Sequence, residues 1–174
     1  ETATPEMGLR LGSFNSVDFF ARGSVQSSGS KLAVSLDYMK SRDDTSRQVE
    51  HDLQSTLDGV LNTQASNAPG RYDEHYEVIM ASMNWDYKDL NLKAYTWRNL
   101  DIGLGGGIAQ ALDPVGSASS EVNSVSLSYD WDLERLGELT ATYEFRQQWN
   151  KSFLYVFPAG AVIPIGASGN VAFV

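Results

Sequence analysis

Leu136-Gly-Glu-Leu-Thr-Ala-Thr-Tyr-Glu-Phe-Arg-Gln-Gln148 is the stretch on which the fold turns. From Leu139 it alternates without a slip: Leu139, Ala141, Tyr143 and Phe145 leave one face, Thr140, Thr142, Glu144 and Arg146 the other. A period of two marks an extended strand, because its successive side chains point to opposite faces. One face is apolar and the other charged, and aromatic residues such as Tyr143 and Trp149 gather toward the far end. The same mixture recurs in most of the remaining strands. It predicts an all-β fold: an up-and-down antiparallel meander forming part of a transmembrane β-barrel with a wet lumen.

Working outward, alternation predicts strands at Glu6–Phe14, Val17–Gln26, Lys31–Ser41, Tyr76–Tyr87, Leu90–Trp97 and Asn123–Trp131. Asn15-Ser16, Ser27–Ser30, Lys88-Asp89 and Asp132–Arg135 supply the short turns between them. In the first long gap Val49, Leu53, Leu57 and Val60 recur at helical spacing. That predicts a short surface helix, capped by Thr45 or Ser46, closed by Gly59 and followed by the break Ala68-Pro-Gly70. A second long loop, Arg98–Ser120, carries Gly103-Leu-Gly-Gly-Gly107 and Leu112-Asp-Pro114; after Trp149 the chain turns irregular, broken by Phe157-Pro-Ala-Gly160 and Pro164. Apart from the first turn, every alternate connection is long, the rhythm of a barrel with brief turns on one rim and long loops on the other. Trp85 and Tyr87, and again Tyr129 and Trp131, sit on the apolar face beside a short turn. Membrane barrels carry aromatic girdles at such positions.

Composition narrows the function classes. The 174 residues hold 13 Lys and Arg against 22 Asp and Glu, a net charge of −9. An acidic chain of this kind is not a nucleic-acid binder, which needs a basic stripe. Cysteine is absent and histidine is limited to His51 and His75, which excludes disulfides, thiolate metal sites and multi-histidine centres. No apolar run approaches the ~20 residues of a membrane helix, a criterion that leaves barrels untouched. Glu1-Thr-Ala-Thr-Pro-Glu6 lacks the basic start and apolar middle of a signal peptide, and Val171-Ala-Phe-Val174 stops in apolar text. Both ends read as those of a piece cut from something longer.

Several local patterns invite chemistry and have plainer readings. The Gly103–Gly107 run lacks the Lys-Ser/Thr and helix of a phosphate cradle and reads as a mobile loop. Asp130-Trp-Asp132-Leu-Glu134 lacks the glycine and final glutamate of a calcium loop and reads as a solvated turn. His51, between Glu50 and Asp52, has no adjacent nucleophile and reads as an exposed helix position; His75 reads as a solvated rim residue. Glu144 and Arg146 share a face and are expected either to pair or to line a solute path. Glu138 and Glu144 stand about 20 Å apart along a strand, too far for the paired carboxylates of a glycosidase. No catalytic residue, cofactor or metal is expected.

The order of motifs resembles one known family. Gly8-Leu-Arg-Leu-Gly-Ser-Phe-Asn15, Ala33-Val-Ser-Leu-Asp-Tyr38, Ala68-Pro-Gly70, Gly107-Ile-Ala-Gln-Ala-Leu-Asp-Pro114 and Phe157-Pro-Ala-Gly160 run along nearly the whole chain. Together they resemble the TonB-dependent outer-membrane receptors. The resemblance implies a 22-strand class of barrel plugged by a separate N-terminal domain. Residues 1–174 would supply the first seven strands and part of the fourth extracellular loop, in the outer membrane of a Gram-negative bacterium. It also implies active uptake of a scarce large nutrient, typically a ferric siderophore, driven through the plug by the inner-membrane partner TonB. Neither plug nor TonB-contacting box is among these residues.

On that reading Tyr95, Trp97, Arg146 and Gln148, lumen-facing and high on their strands, are the expected ligand contacts. Tyr and Trp offer flat apolar area, and Arg a planar fork for carboxylate or phosphate. The long loops Arg42–Glu74 and Arg98–Ser120 would face outward over the solute. Seven strands cannot close such a barrel, so an isolated chain is expected to pair its edges with another copy or a lattice neighbour, or to close in a non-native way. The alternative is a soluble, secreted β-sandwich that binds carbohydrate or protein on Tyr95, Trp97 and Trp149. One observation separates the two: the sandwich buries Val125, Leu127, Tyr129 and Trp131, and the barrel exposes them.

Overall fold

The computed structural model describes residues 4–164 and 170–172; the expectations for Glu1–Ala3, Phe173 and Val174 lie outside the described residues. In chain order the elements are β1 (Glu6–Gly12), β2 (Ser16–Ser27), β3 (Ser30–Ser41), β4 (Gln48–Val49), α1 (Leu53–Leu61), β5 (Gly70–Arg71), β6 (Tyr76–Tyr87), β7 (Leu90–Gly103), β8 (Ser117–Asp132), β9 (Glu138–Phe153), β10 (Val162–Pro164) and β11 (Asn170–Ala172). Seven strands form one sheet in the order β1-β2-β3-β6-β7-β8-β9, while β4-β5 and β10-β11 are separate two-stranded pairs. Apart from the β4–β5 excursion the order follows the chain, so the all-β antiparallel meander is present. Two compact units result: Glu1–Ser41, Glu77–Leu100 and Ser119–Asn150 make a sheet unit, and Arg42–Tyr76, Asp101–Ala118 and Lys151–Val174 a loop unit.

Registers in the sheet unit are set by tight turns. Ser27 pairs with Ser30 across Ser28-Gly29, both at positive φ, as the twist of a two-residue hairpin demands. The first turn is Ser13–Asn15 rather than Asn15-Ser16: Gly12 pairs with Ser16, and Phe14 and Asn15 take positive φ. The turn expected at Asp132–Arg135 runs on to Gly137, whose φ of 105° favours glycine, and Leu133 N–H donates to its carbonyl.

β7 continues to Gly103, β8 begins at Ser117 and β9 continues to Phe153. The second long loop therefore shrinks from Arg98–Ser120 to residues 104–116. The alternation of the strand tips is masked in sequence by paired polar residues that face the apolar side, Arg98 with Glu121 and Thr96 with Asn123. Ladder bonding, not hydropathy, holds these tips extended.

Cross-strand contacts confirm the two faces of the sheet. Arg10 pairs with Asp18 and Arg22 with Asp37, each at 3.1 Å, and Ser35 meets Ser82 at 2.8 Å on the polar face. The other face carries Leu9, Phe19, Leu36, Ile79, Met83, Leu92, Val125, Leu127, Tyr143 and Phe145 in matching phase. Among the described residues none in the sheet unit is buried. Val125, Leu127, Tyr129 and Trp131 are 41%, 41%, 37% and 42% exposed, and Leu139, Tyr143 and Phe145 are more so. The sheet is a single layer, amphipathic and without a core of its own.

In the loop unit the helix begins later than its apolar spacing implied. Asp52, not Thr45 or Ser46, is the N-cap: its carboxylate accepts from Ser55 N–H (2.6 Å) while Ser55 Oγ accepts from Asp52 N–H (3.0 Å). Such a reciprocal box satisfies two otherwise orphaned donors. Val49 lies in β4, and the helix runs past Gly59 to Asn62, which takes the left-handed conformation that Asn tolerates. Pro164, expected to break any element, is the last residue of β10, paired with Asn170.

Candidate functional site

The four expected ligand contacts share the polar face of the sheet unit. Arg98 and Glu121 (2.9 Å), Thr96 and Asn123 (2.7 Å), and Asn99 and Ser120 (3.2 Å) agree on one β7–β8 register. It sets Tyr95 opposite Ser124 and Trp97 opposite Val122. Thr140 bonded to Asp130 (2.6 Å) and Leu133 N–H bonded to Gly137 likewise fix β8 against β9. Continued along the unbroken strands, that register sets Ser124 opposite Arg146 and Val122 opposite Gln148. The four side chains thus form two adjacent rows, Tyr95–Ser124–Arg146 and Trp97–Val122–Gln148. With strands ~4.8 Å apart, each row spans about 10 Å. Ser124 is small, so a flat ring on Tyr95 and an anionic group at Arg146 could both be accommodated across it. Glu144 and Arg146, expected either to pair or to line a solute path, form no ion pair among the described residues; both are exposed.

Lower on the same face lies a cavity of about 720 Å³, lined by Glu6, Arg22, Ser24, Lys31, Ser35, Ser82, Asn84, Lys93 and Tyr95 among others. Tyr95, 43% exposed, therefore belongs both to the upper row and to this cavity. Sequence reading missed Lys31 and Lys93 here, because only the sheet order brings residues so distant in sequence to one concavity.

The loop unit is held by carboxylates rather than by a large core. Among the described residues its buried apolar side chains are Ala65, Ala111, Leu112 and Ala161. Asp52 accepts from Ser66 Oγ (2.7 Å) and from Leu112 N–H (2.7 Å) besides capping the helix. Asp58 accepts from Thr63 Oγ1 (2.6 Å) and from Ala65 and Ser66 N–H (2.9 Å each). Burial would raise both pKa values, but these donors outweigh it and hold both carboxyls below their ordinary value. Asp113, 2% exposed, accepts from Gly116 N–H (2.6 Å) and Tyr155 N–H (3.0 Å). Asn67 Nδ2 donates to the carbonyls of Leu112 and Tyr155. Segments 52–67, 104–116 and 155–162 are thereby stitched to one another.

Two sequence expectations are corrected in this unit. The Gly103–Gly107 run is close-packed: a Cβ at Gly103 would stand 2.7 Å from the Asp73 carbonyl, and one at Gly107 2.8 Å from Asp113 Cβ. Gly105 adds positive φ against the Tyr72 ring. Gly103, Gly105 and Gly107 are glycine because a side chain would not fit there, a reason invisible without the partners. His75 is not a freely solvated rim residue but is 26% exposed, with Nδ1 2.7 Å from Asp73 Oδ1 and Nε2 3.1 Å from Asp101 Oδ2. The second approach lacks hydrogen-bond alignment and becomes an ion pair when the imidazole is protonated. Arg71 stands 3.6 Å from both Asp43 and Asp73 beside it. Burial pulls the His75 pKa down, but Asp73 and then Asp101 more than reverse this, and the net shift is upward.

His51 is exposed just before the helix cap, and Asp132 accepts from Glu134 N–H in a solvated turn. No cluster of metal-ligating side chains occurs among the described residues. Comparison with protein-family models, with curated proteins and with solved structures finds no match.

Proposed function

We propose that this chain forms part of the wall of an outer-membrane active transporter of the TonB-dependent receptor kind, which binds and imports a scarce large nutrient such as a ferric siderophore. The observation that carries the reading is the height of the apolar belt. On the apolar face Trp85 and Tyr87, stacked at 6.0 Å, and Tyr129 and Trp131 at 4.6 Å mark the short-turn boundary. Toward the long loops the same face turns polar at Tyr38 and Lys40 bonded to Glu77 and at Arg98 paired with Glu121; Trp149 falls opposite Glu121. From Glu77 to Tyr87, Glu121 to Trp131 and Leu139 to Trp149 is about ten residues on each strand, or ~33 Å of extended chain. At a tilt of about 35–45° that is roughly 25 Å of height, the apolar band of an outer-membrane barrel.

The resemblance of the loop motifs supports the receptor class, and the rows through Tyr95 and Trp97 support a solute-facing interior. A sandwich would require a second layer over Val125, Leu127, Tyr129 and Trp131, which are exposed. Four variants that each keep one of Trp85, Trp97, Trp131 and Trp149 test the reading after reconstitution into vesicles. Lipids brominated in their tails should quench Trp85, Trp131 and Trp149 but spare Trp97, which aqueous iodide should reach. Equal quenching of all four, or none by bromolipid, refutes membrane placement.

A further inference from the structure

We infer that the site already described takes a flat, uncharged aromatic part of its solute, on an apolar platform set into the otherwise polar face of the sheet. Strand phase puts Met39 of β3, Val78 and Met80 of β6, Trp97 of β7 and Val122 of β8 on that face. Ser35 facing Ser82 and Lys40 facing Glu77 fix β3 against β6, and Asn91 donating to Asp86 fixes β6 against β7. With the β7–β8 register, these pairings set Met80, Trp97 and Val122 side by side in one row and Met39 beside Val78 in the next. The platform is about 14 Å across three strand spacings and about 7 Å along the strands. All five residues are part-exposed and lie opposite the apolar belt, so neither lipid nor a core accounts for them.

The surroundings decide the ligand chemistry. At the β3 end of the row Asp37 is paired with Arg22, and on β9 Arg146 has Glu144 two residues away on the same face. Charges of both signs therefore border the platform and leave no net field to select an ion. Asn99 and Ser120, beyond Trp97, are bonded to each other. The row itself offers an indole face, a thioether that packs well against aromatic rings, and a branched aliphatic side chain. Five residues are too few for a protein partner, whose stable interface engages about 20–30 residues a side. A group of two or three fused rings, about 10 Å long, covers the row of two strand spacings. A sugar ring stacks on an indole but needs hydrogen-bond partners at its rim, and here the rim is thioether and aliphatic. The inference rests on the reading of this face as solute-facing and narrows what the solute must carry, but does not depend on where the other face lies.

The test uses the full chain in a non-ionic detergent with caffeine, an uncharged molecule of two fused rings, followed by equilibrium dialysis against empty micelles. Caffeine should bind saturably, with an affinity that changes less than about twofold between about 50 mM and about 500 mM salt. Met80→Gln and Val122→Thr keep length and branching while removing apolar surface. Each should weaken binding about threefold, and the double variant about tenfold. Ser126→Ala, two rows away on the same face, should change nothing. The replaced side chains are part-exposed, so circular dichroism should be unaltered. Should a variant lose its strands, the tryptophan variants decide: emission of the chain keeping only Trp97 should follow caffeine with the dialysis midpoint, and that of the chain keeping only Trp149 should not. Absence of saturable binding, full affinity in the double variant, an equal response from Trp149, loss of affinity with salt, or displacement by an equal concentration of maltose overturns the inference. Bromolipid quenching of Trp85, Trp131 and Trp149 is independent of caffeine, so failure of the membrane reading and failure of this inference are distinguishable.

Discussion

Replacing Asp113 with Ala should open the loop unit, and by an amount the structure bounds. Oδ1 accepts from Gly116 N–H and Oδ2 from Tyr155 N–H, and the carboxylate is 2% exposed. Alanine leaves both donors without that acceptor, Gly116 N–H in a buried position and Tyr155 N–H in a half-buried one. Each orphaned buried donor costs about 1–3 kcal/mol, so the pair should cost about 2–5 kcal/mol. Asparagine keeps the shape but turns an amide N–H₂ toward one of the two donors, so about half that loss is expected. Hydrogen exchange reads the difference at the amides concerned. A loss of 2 kcal/mol corresponds to roughly 30-fold faster exchange at Gly116 and Tyr155, while amides of the β2–β3 ladder should not change. If apolar contact at Leu112 held these segments instead, Asp113→Ala would behave as a surface substitution, within about 0.5 kcal/mol. Exchange at Tyr155 within about twofold of the parent would refute the carboxylate account.

Other outcomes follow from the same geometry. Gly103→Ala would place a Cβ 2.7 Å from the Asp73 carbonyl and should cost about 1–3 kcal/mol, read as accelerated proteolysis within residues 42–75. His75, with its pKa raised by Asp73 and Asp101, stabilises the loop unit fully below the ordinary imidazole value, and that contribution is lost as pH rises through the higher folded value. Asp52 and Asp58, with pKa values lowered, contribute above the ordinary carboxyl value and lose it as pH falls through their folded values. Loop-unit stability should therefore decline at both extremes. His75→Gln should remove the alkaline decline and leave the acid one, as followed by the rate of proteolytic nicking corrected for protease activity. β1 and β9 each end the sheet without a further partner among the described residues. Sedimentation of the isolated chain in detergent should show self-association, and a strict monomer with protected β1 amides would contradict open edges.

Strand alternation made the sheet legible because each face meets a different surround. Thr140, Thr142, Glu144 and Arg146 share a face in the sequence and on β9 alike. Nothing local announced that β7 would reach Gly103, since Arg98 and Asn99 look like loop residues until Glu121 and Ser120 stand opposite. The helix boundary failed for a related reason: Asp52 is the cap because it also reaches Leu112 N–H, a partner 60 residues away. Of the candidate site, face and row could be read from phase, which put Tyr95, Trp97, Arg146 and Gln148 together. The lysine pair could not, because cavities depend on strand order and concavity, which periodicity does not encode.

The two units solve the same problem by different means. Every backbone N–H and C=O taken from water needs a partner. In the sheet unit ladders supply it, which frees side chains of packing duty and lets one face be mainly apolar and the other mainly polar. Among the described residues the strand pairs confined to the loop unit, β4–β5 and β10–β11, are short, and beside isolated bridges such as Gln64 with Val162 several of its amides turn to Asp52, Asp58 and Asp113. A carboxylate accepts several bonds at once, which suits crossing segments with no common direction. That choice carries a consequence for recognition. The apolar residues of α1, Leu53, Leu57, Val60 and Leu61, remain exposed because aspartates, not the helix, hold the unit together. The loops can thus vary their outward residues without losing their arrangement, provided the three aspartates and the close-packed glycines stay.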